Sequence, residues 1–163
     1  MSSRQIDTDA GADQRRALAR IARELAGELG CACDVAAPAR RGHGAHPIVV
    51  VEDAGRIVGF ASTSTYRPRE CYARVAEFSV YVARDARGRG VGRLALRELI
   101  AAAARAGLGK LVSRIFPENH ASRAVCRVLG FREVGVYENH GQLDGAWKDC
   151  VIVERLLGGN PSS

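Results

Sequence analysis

The stretch that decides the fold is Val80-Tyr-Val-Ala-Arg-Asp-Ala-Arg-Gly-Arg-Gly-Val-Gly-Arg93, in which a β-branched run leads into closely spaced glycines. The run predicts the end of a strand, the glycines a tight loop, and the residues that follow a helix. Such a loop presents unpaired backbone N–H groups at the start of the helix, which favours a phosphate group. Gly88, Gly90 and Gly92 alternate with other residues, which excludes the Walker A loop and the Gly-x-Gly-x-x-Gly fingerprint.

The charge of the chain agrees with an anionic ligand near this loop. Of its 163 residues, 24 are Lys or Arg and 18 are Asp or Glu, and only Lys110 and Lys148 are lysines. Arginine binds phosphate and carboxylate groups in a bidentate manner, and Arg87, Arg89 and Arg93 lie beside the glycines. The alternative interpretation is a tight loop with a basic rim.

Outward from the loop, the apolar spacing predicts one domain of the α/β (α+β) class over residues 1–157, with a flexible tail at 158–163. One layer of sheet with helices on it is expected. The predicted strands are 47–52, 56–66, 72–82, 110–115, 132–137 and 147–157, and the predicted helices are 12–29, 88–106 and 119–129. No apolar run approaches the roughly 20 residues of a membrane span. The N-terminus lacks the apolar core of a secretory signal, so a cytoplasmic protein is expected.

The five cysteines do not predict a disulfide framework. An odd number in a cytoplasmic chain indicates free thiols. Cys31, Cys33, His43 and His46 lie close together, but Cys-x-Cys is looser than the usual zinc knuckle. A solvated loop without a metal is therefore the preferred interpretation of this segment.

Two further motifs make the glycine loop recognisable. Arg87-Gly-Arg-Gly-Val-Gly92 resembles the Arg/Gln-x-x-Gly-x-Gly/Ala acetyl-CoA signature of the GNAT N-acetyltransferases. Ser79-Val-Tyr-Val82 is similar to the strand that precedes this signature in the family. Asn119-His-Ala-Ser122 with Leu129-Gly-Phe131 resembles the family's later motif. The resemblance covers residues 47–157 and implies the GNAT fold, a central mixed and mostly antiparallel sheet flanked by helices.

A closer resemblance is to the phosphinothricin and arsinothricin N-acetyltransferases. It rests on Val75–Val82, Phe131–Glu138 and Gly141–Asp149, and for the arsinothricin branch on Tyr66–Tyr72 and Phe116–Asn119. The resemblance implies acetyl-CoA as cosubstrate, a glutamate-like acceptor and resistance to an antimetabolite. It also implies a homodimer whose C-terminal hairpin reaches the neighbouring active site.

The same resemblance assigns roles to residues. In this assignment the backbone groups of Val80 and Val82 hold the pantetheine arm, Arg87 to Gly92 bind the pyrophosphate, and Asn119 contacts the cofactor from the other side. The cofactor-binding residues implied are Val80, Tyr81, Val82, Arg87, Gly88, Arg89, Gly90, Val91, Gly92, Arg93, Asn119 and Ser122.

Glu77 corresponds to the family's catalytic glutamate. An amino group is mostly protonated at neutral pH and must lose a proton before it attacks a thioester, so a nearby carboxylate can act as the base. The alternative is an exposed strand carboxylate. Cys126 lies where many relatives carry a Tyr or His that protonates the leaving thiolate, but a packing role is preferred because buried cysteine usually behaves as a small hydrophobe.

For an anionic acceptor, Arg74 is the first charged candidate, although period-2 alternation places it opposite Glu77 on the strand. Tyr72 and Tyr81 are further candidates for the acceptor site, and Arg67 and Arg69 lie nearby; each could equally be surface. Trp147 is expected to be a core anchor rather than an aromatic side chain that stacks on the substrate.

Three functional hypotheses remain open after this comparison. The first is acetylation of a phosphinothricin- or arsinothricin-like amino acid, and the second is acetylation of another amine such as methionine sulfoximine. The third is a noncatalytic acetyl-CoA-binding protein, because residues 12–46 depart from the family pattern. A nucleic-acid partner is not expected, since aromatic residues make up only 6% of the chain and no nucleic-acid motif is present.

Overall fold

A computed structural model describes residues 1–6 and 46–158 of the chain. The described residues form one sheet of seven strands with two α-helices. The strands are β1 (Ser2–Ile6), β2 (Ile48–Asp53), β3 (Arg56–Thr65), β4 (Val75–Val82), β5 (Lys110–Ile115), β6 (Arg132–Leu143) and β7 (Ala146–Leu156). The helices are α1 (Val91–Arg105) and α2 (His120–Val128).

The strand order is β1-β2-β3-β4-β5-β7-β6, and every neighbouring pair is antiparallel except β4 and β5. This parallel pair arises because α1 carries the chain back from the end of β4 to the start of β5, as a parallel connection requires. The predicted fold class, a mixed and mostly antiparallel sheet flanked by helices, is therefore confirmed.

Helix α1 packs closely on one face of the sheet. A Cβ atom on Gly59 of β3 would lie 2.6 Å from Cγ1 of Val91, closer than side chains tolerate, so glycine lets the helix start approach the strand. A Cβ atom on Gly92 would lie 3.4 Å from Val82 and 3.7 Å from Val80, which places these two side chains under α1. Since side chains alternate along a strand, Glu77, Ser79 and Tyr81 lie on the opposite face.

The ladder between β4 and β5 is short. It pairs Val75 with Lys110, Ala76 with Leu111 and Glu77 with Val112, and it ends there. Strand β4 continues to Val82 along β3, while β5 continues to Ile115 along β7. The sheet is therefore split between the two parallel strands, and Glu77 lies where the split begins.

Several predicted boundaries change in the structure. Strand β4 begins at Val75 rather than residue 72, because Glu70–Tyr72 form a 3₁₀ turn before it. Strand β6 extends to Leu143 rather than 137, with irregular pairing between Tyr137 and Gly141. Strand β1 was not predicted: its five residues are mostly polar and show no apolar alternation, and the pairing with β2 defines it.

Other predictions lie outside the described residues. These are the helix at 12–29, most of the loop at 31–46, and the tail beyond residue 158. Neither described helix is long and apolar enough to cross a membrane.

Candidate active site at the split of the sheet

The site is built around the open edge of β4. The backbone N–H of Ala83 donates to the carbonyl of Val58 on β3. Because successive residues of a strand direct their backbone groups to alternate sides, Val80 and Val82 direct theirs away from β3, towards the split. These are the two residues whose backbone groups were expected to hold a pantetheine arm. Backbone groups at such an edge need partners, which the amides of an extended ligand can supply.

Glu77 at the beginning of the split forms an ion pair with Arg114. The guanidinium Nη2 of Arg114 donates to Oε1 of Glu77. The two side chains are 45% and 24% exposed respectively, so both remain accessible to a ligand. Arg114 was not predicted from the sequence, because its contact with Glu77 depends on the register of β4 against β5.

The glycine loop follows β4 directly. A 3₁₀ turn at Arg84–Ala86 leads to Gly88 and Gly90, which have φ angles of 74° and 81°. This left-handed backbone is readily adopted only by glycine. Gly90 is the N-cap of α1 and its carbonyl accepts from the N–H of Leu94 at 3.0 Å. The first N–H groups of a helix have no intrahelical acceptor, so the loop brings donors and positive helix dipole to one place.

The three arginines of the loop occupy different positions. Nε of Arg87 donates to the Val82 carbonyl at 3.4 Å, which folds this side chain back over the end of β4. Arg89 donates to Oδ2 of Asp53 at 2.7 Å, and this hydrogen bond and the charge of Arg89 lower the pKa of the Asp53 carboxyl. Arg93 lies on the exposed side of the first turn of α1. The side chains of Arg87 and Arg89 thus have partners within the protein, while Arg93 is exposed.

Asn119 lies beyond the end of β5, on the other side of the split from the glycine loop. Its side-chain oxygen accepts from the backbone N–H of Ser122 at 3.1 Å and caps the start of α2. An N-cap of this kind stabilises the first helical turn. The structure thus gives Asn119 a structural role; its expected contact with the cofactor stays a prediction, as does that of Ser122.

Cys126 is buried in α2, with 3% of its surface exposed, and belongs to the hydrophobic core. Burial, with a contribution from the charge of Glu133, raises the pKa of its thiol to about 11. An ordinary thiol has a pKa of about 8.5, so proton transfer from Cys126 to a departing thiolate would be uphill. These observations favour the packing role over the general acid.

Substitution of Cys126 by Ala is expected to keep kcat within about twofold of the wild type, because no proton passes through this thiol. The free energy of unfolding is expected to fall by about 1 kcal/mol through lost packing. Steady-state kinetics and chemical denaturation measure the two effects. Cys71→Ala, at an exposed position, is the control and should change neither quantity. A loss of kcat of about 100-fold or more would identify Cys126 as the acid instead.

The residues expected to contact the acceptor are dispersed. Nε of Arg74 donates to the Gly107 carbonyl at 3.0 Å, just before β4 and at the opposite end of that strand from the glycine loop. Tyr72 is 39% exposed and packs edge-on against Tyr66. Tyr81 stacks on Phe60 with ring centroids 4.9 Å apart, on the same face as Glu77. The structure thus brings Tyr81, rather than Arg74, to the face of the catalytic candidate.

The structure also tests the expectation for Trp147. Trp147 is 61% exposed on β7, so the expectation of a core anchor was wrong; this end of the β6–β7 hairpin extends beyond the core.

Of the four residues considered as zinc ligands, His46 is described. Its Nε2 lies 3.1 Å from Oγ1 of Thr65, and burial lowers the pKa of this histidine. Cys31, Cys33 and His43 lie outside the described residues. Within residues 1–6 and 46–158, no three His, Cys, Asp or Glu side chains are grouped to hold a metal.

Comparison with known proteins identifies the family. The model of the acetyltransferase (GNAT) family matches residues 16–131. A phosphinothricin N-acetyltransferase from Alcaligenes faecalis is 38% identical over 112 residues, which are 68% of this chain and 57% of that protein. An L-methionine sulfoximine/L-methionine sulfone acetyltransferase from Pseudomonas paraeruginosa is 40% identical over 122 residues, which are 74% of this chain and 69% of that protein.

A solved structure agrees with these matches. The protein yncA from Salmonella typhimurium, solved with its cofactor acetyl-CoA, has a TM-score of 0.71 and 26% identity, and the match covers 97% of this chain and 80% of that one. The chain belongs to the GNAT acetyltransferase family. The expected family and the expected class of enzyme, an N-acetyltransferase, are confirmed at this level.

Proposed function

We propose that the chain transfers the acetyl group of acetyl-CoA to the α-amino group of a small glutamate-like amino acid such as phosphinothricin or arsinothricin, and so confers resistance to it. The observation that carries the proposal is the position of Glu77. Its carboxylate lies where β4 and β5 separate, on the strand that leads into the glycine loop. A base, an open strand edge and an anion-binding loop thus follow one another along a single segment.

The donor fits the described residues as follows. The backbone groups that Val80 and Val82 direct into the split pair with the amides of the pantetheine arm, and Arg87 gives up its hydrogen bond to the Val82 carbonyl when the arm binds. The N–H groups from Gly88 to Arg93 bind the pyrophosphate. The thioester of acetyl-CoA supplies the acetyl group. The relative from Salmonella typhimurium is described with acetyl-CoA as its cofactor, which supports the same donor here.

Glu77 acts on the acceptor. An α-amino group arrives mostly as ammonium, and its nitrogen becomes nucleophilic only after a proton leaves. The Glu77 carboxylate, 24% exposed and held by Arg114, takes this proton directly or through one water. Solvent then receives it, and the neutral nitrogen attacks the thioester carbonyl. As the tetrahedral intermediate collapses, the C–S bond breaks and the nitrogen loses its second proton, which reaches the leaving thiolate through solvent because Cys126 is too weak an acid.

The second candidate keeps this chemistry and changes the acceptor to methionine sulfoximine or methionine sulfone. Its support is the 40% identity to the Pseudomonas paraeruginosa enzyme and 39% to the enzyme of Pseudomonas aeruginosa. These compounds lack the side-chain acid of phosphinothricin.

A thiol-release assay tests the function. The purified chain is given acetyl-CoA with phosphinothricin, arsinothricin, methionine sulfoximine, methionine sulfone, glutamate or an aminoglycoside in turn. Turnover with phosphinothricin or arsinothricin, and acetylation at the α-nitrogen by mass spectrometry, supports the first candidate. Preference for the sulfoximine or sulfone supports the second. Binding of acetyl-CoA without any turnover would instead support a noncatalytic acetyl-CoA-binding protein.

The proposal takes the chain as a cytoplasmic protein with one domain over residues 1–157 and as a homodimer, with small molecules rather than nucleic acid or membranes as its other partners. Exposed apolar side chains along the β6–β7 hairpin support the dimer, because exposed apolar surface is buried when an interface forms. They are Val134, Val136, Tyr137, Leu143, Trp147 and Leu156, which are 42–61% exposed.

Sedimentation velocity is expected to show the mass of two chains, and Val136→Glu is expected to convert most of the dimer to monomer at micromolar concentration. The reason is that a carboxylate on this edge strand is desolvated when the interface forms. Val128→Glu, at a 62% exposed position of α2, is the control and should remain dimeric. A monomeric wild type would contradict the dimer without affecting the proposed reaction.

A further inference from the structure

Arg114 lies beside the candidate base, and its only role in the proposed reaction is to hold the Glu77 carboxylate. It lies on β5 two residues beyond Val112, the residue that pairs with Glu77. Side chains two residues apart lie on the same face of a strand, so Arg114 projects beside Glu77 across the split. Its guanidinium bonds the Glu77 carboxylate, and within residues 1–6 and 46–158 this is its one hydrogen-bond partner.

The surroundings of the pair are polar. Glu77 is opposite Ser64 on β3, and Ser79 is opposite Ser62, all on the face away from α1. The Arg114 side chain is 45% exposed. An ion pair with this exposure contributes little to folding stability, so stability does not explain why a guanidinium stands beside the candidate base.

The pair is complementary to an α-amino acid. In such a molecule the ammonium and the carboxylate are attached to the same carbon, so their complementary partners must also be neighbours. Glu77 and Arg114 are neighbours with the required charges. A guanidinium has five N–H donors and binds a carboxylate through two of them, and one donor of Arg114 is used by Glu77. The others remain for an acceptor.

We propose that Arg114 is the residue that binds the α-carboxylate of the acceptor, while Glu77 faces its α-nitrogen. The inference rests on the proposed function, since it concerns the acceptor of that reaction. The guanidinium bridges the base and the acceptor carboxylate, which fixes the amino group against Glu77. Specificity for α-amino acids over simple amines follows, because an amine without the carboxylate leaves Arg114 unused.

The other arginine expected in this role is differently engaged. Nε of Arg74 bonds the Gly107 carbonyl, and the backbone carbonyl of Arg74 accepts from Gly109 and Lys110. These contacts tie Arg74 to the loop between α1 and β5. Arg67 lies over the ring of Tyr66, 5.3 Å from its centroid. Among these arginines, Arg114 is the one bonded to Glu77.

The test combines a substitution of Arg114 with replacement of the acceptor's α-carboxylate by a carboxamide. L-phosphinothricin and L-methionine sulfone are compared with the α-carboxamide of each, in the wild type and in Arg114→Gln. The wild type is expected to prefer the acids. Arg114→Gln is expected to lower kcat/KM for the acids by about tenfold or more and for the amides by less than about threefold. Each loss compares the wild type and the variant with the same acceptor. The lower basicity of the amino amides therefore cancels when the loss for an acid is divided by the loss for its amide.

Two further variants separate binding from structure. Arg114→Lys keeps the positive charge but lacks the paired N–H donors of the guanidinium, and it is expected to recover part of the preference for the acids. Arg4→Gln is the matched control: Arg4 on β1 pairs with Glu52 on β2 at 2.8 Å, far along the sheet from the split. It should leave kcat/KM unchanged for every acceptor.

The outcomes distinguish this inference from the proposed function. Equal losses for acids and amides in Arg114→Gln, or a wild type that does not discriminate between them, would overturn the inference while acetyl transfer stands. Turnover only with amines that lack an α-carboxylate would also overturn it. A wild type that acetylates no amine at all would overturn the proposed function, and the inference with it.

Discussion

Substitution of Glu77 by Gln is expected to lower kcat for acetyl transfer by about 100- to 10,000-fold. The amide keeps the size of the side chain and removes its basicity, so the acceptor ammonium loses the group that takes its proton. The affinity for acetyl-CoA should change by less than about threefold, since a base acts in the chemical step and not in binding the donor. Stopped assays with saturating acetyl-CoA and calorimetric titration of acetyl-CoA measure the two quantities.

The pH dependence of this variant gives a second readout. Above the pKa of the acceptor amine, the nitrogen arrives already deprotonated and needs no base. The residual rate of Glu77→Gln should therefore rise with pH through the range in which the acceptor amine titrates, and the gap to the wild type should narrow. A purely structural defect would lower the rate by the same factor at every pH.

Glu52 provides the matched control for Glu77. It is also a strand carboxylate in an ion pair with an arginine of the neighbouring strand, at 2.8 Å, but it lies on β2. Glu52→Gln should retain full turnover. If Glu77→Gln retained turnover as well, Glu77 would be the strand carboxylate of the alternative interpretation, and the base would have to be sought among other groups.

The cofactor half of the site could be predicted from the sequence because its signals are local. The strand that ends at Val82, the glycines at 88 and 90 and the helix from Val91 follow one another within a dozen residues, and the structure has them in this order. A left-handed backbone at Gly88 and Gly90 is a property of the glycines themselves. Asn119 before α2 is similarly a local capping signal.

The acceptor half depends on contacts between distant segments. Glu77 and Arg114 are 37 positions apart, and their contact follows from the register of two strands connected by a helix. A shift of that register by one residue would turn Arg114 to the other face of the sheet. The sequence offers no local signal for this register, which is why Arg74, near Glu77 in sequence, was a candidate and Arg114 was not.

Burial was the other property that the sequence could not provide. Trp147 has the size and apolar character of a core residue, but burial depends on what packs over a position and not on the residue alone. Strand β7 pairs with β5 only from Val151 onward, so among the described strands Trp147 has β6 alone as its neighbour. The aromatic side chain therefore remains 61% exposed.

Substitution of Gly90 by Ala is expected to weaken acetyl-CoA binding by about 10- to 100-fold. At Gly90, φ is 81°, and an added Cβ would have no atom within 4 Å. The cost therefore comes from the backbone and not from a clash: a residue with a Cβ is strained in the left-handed region by about 1–2 kcal/mol. Relief of this strain turns the loop away from the conformation in which its N–H groups converge on the pyrophosphate.

Gly107 allows this effect on binding to be separated from the effect on stability. It also has a φ of 81° with nothing within 4 Å of an added Cβ, but it lies at the other end of α1. Gly90→Ala and Gly107→Ala should therefore lower the free energy of unfolding by similar amounts, about 1–2 kcal/mol. Only Gly90→Ala should raise the Kd for acetyl-CoA, as measured by calorimetry below the unfolding transition. Equal Kd values for the two variants would mean that the loop backbone does not bind the pyrophosphate, because the same strain at the two ends of one helix would then have the same consequence.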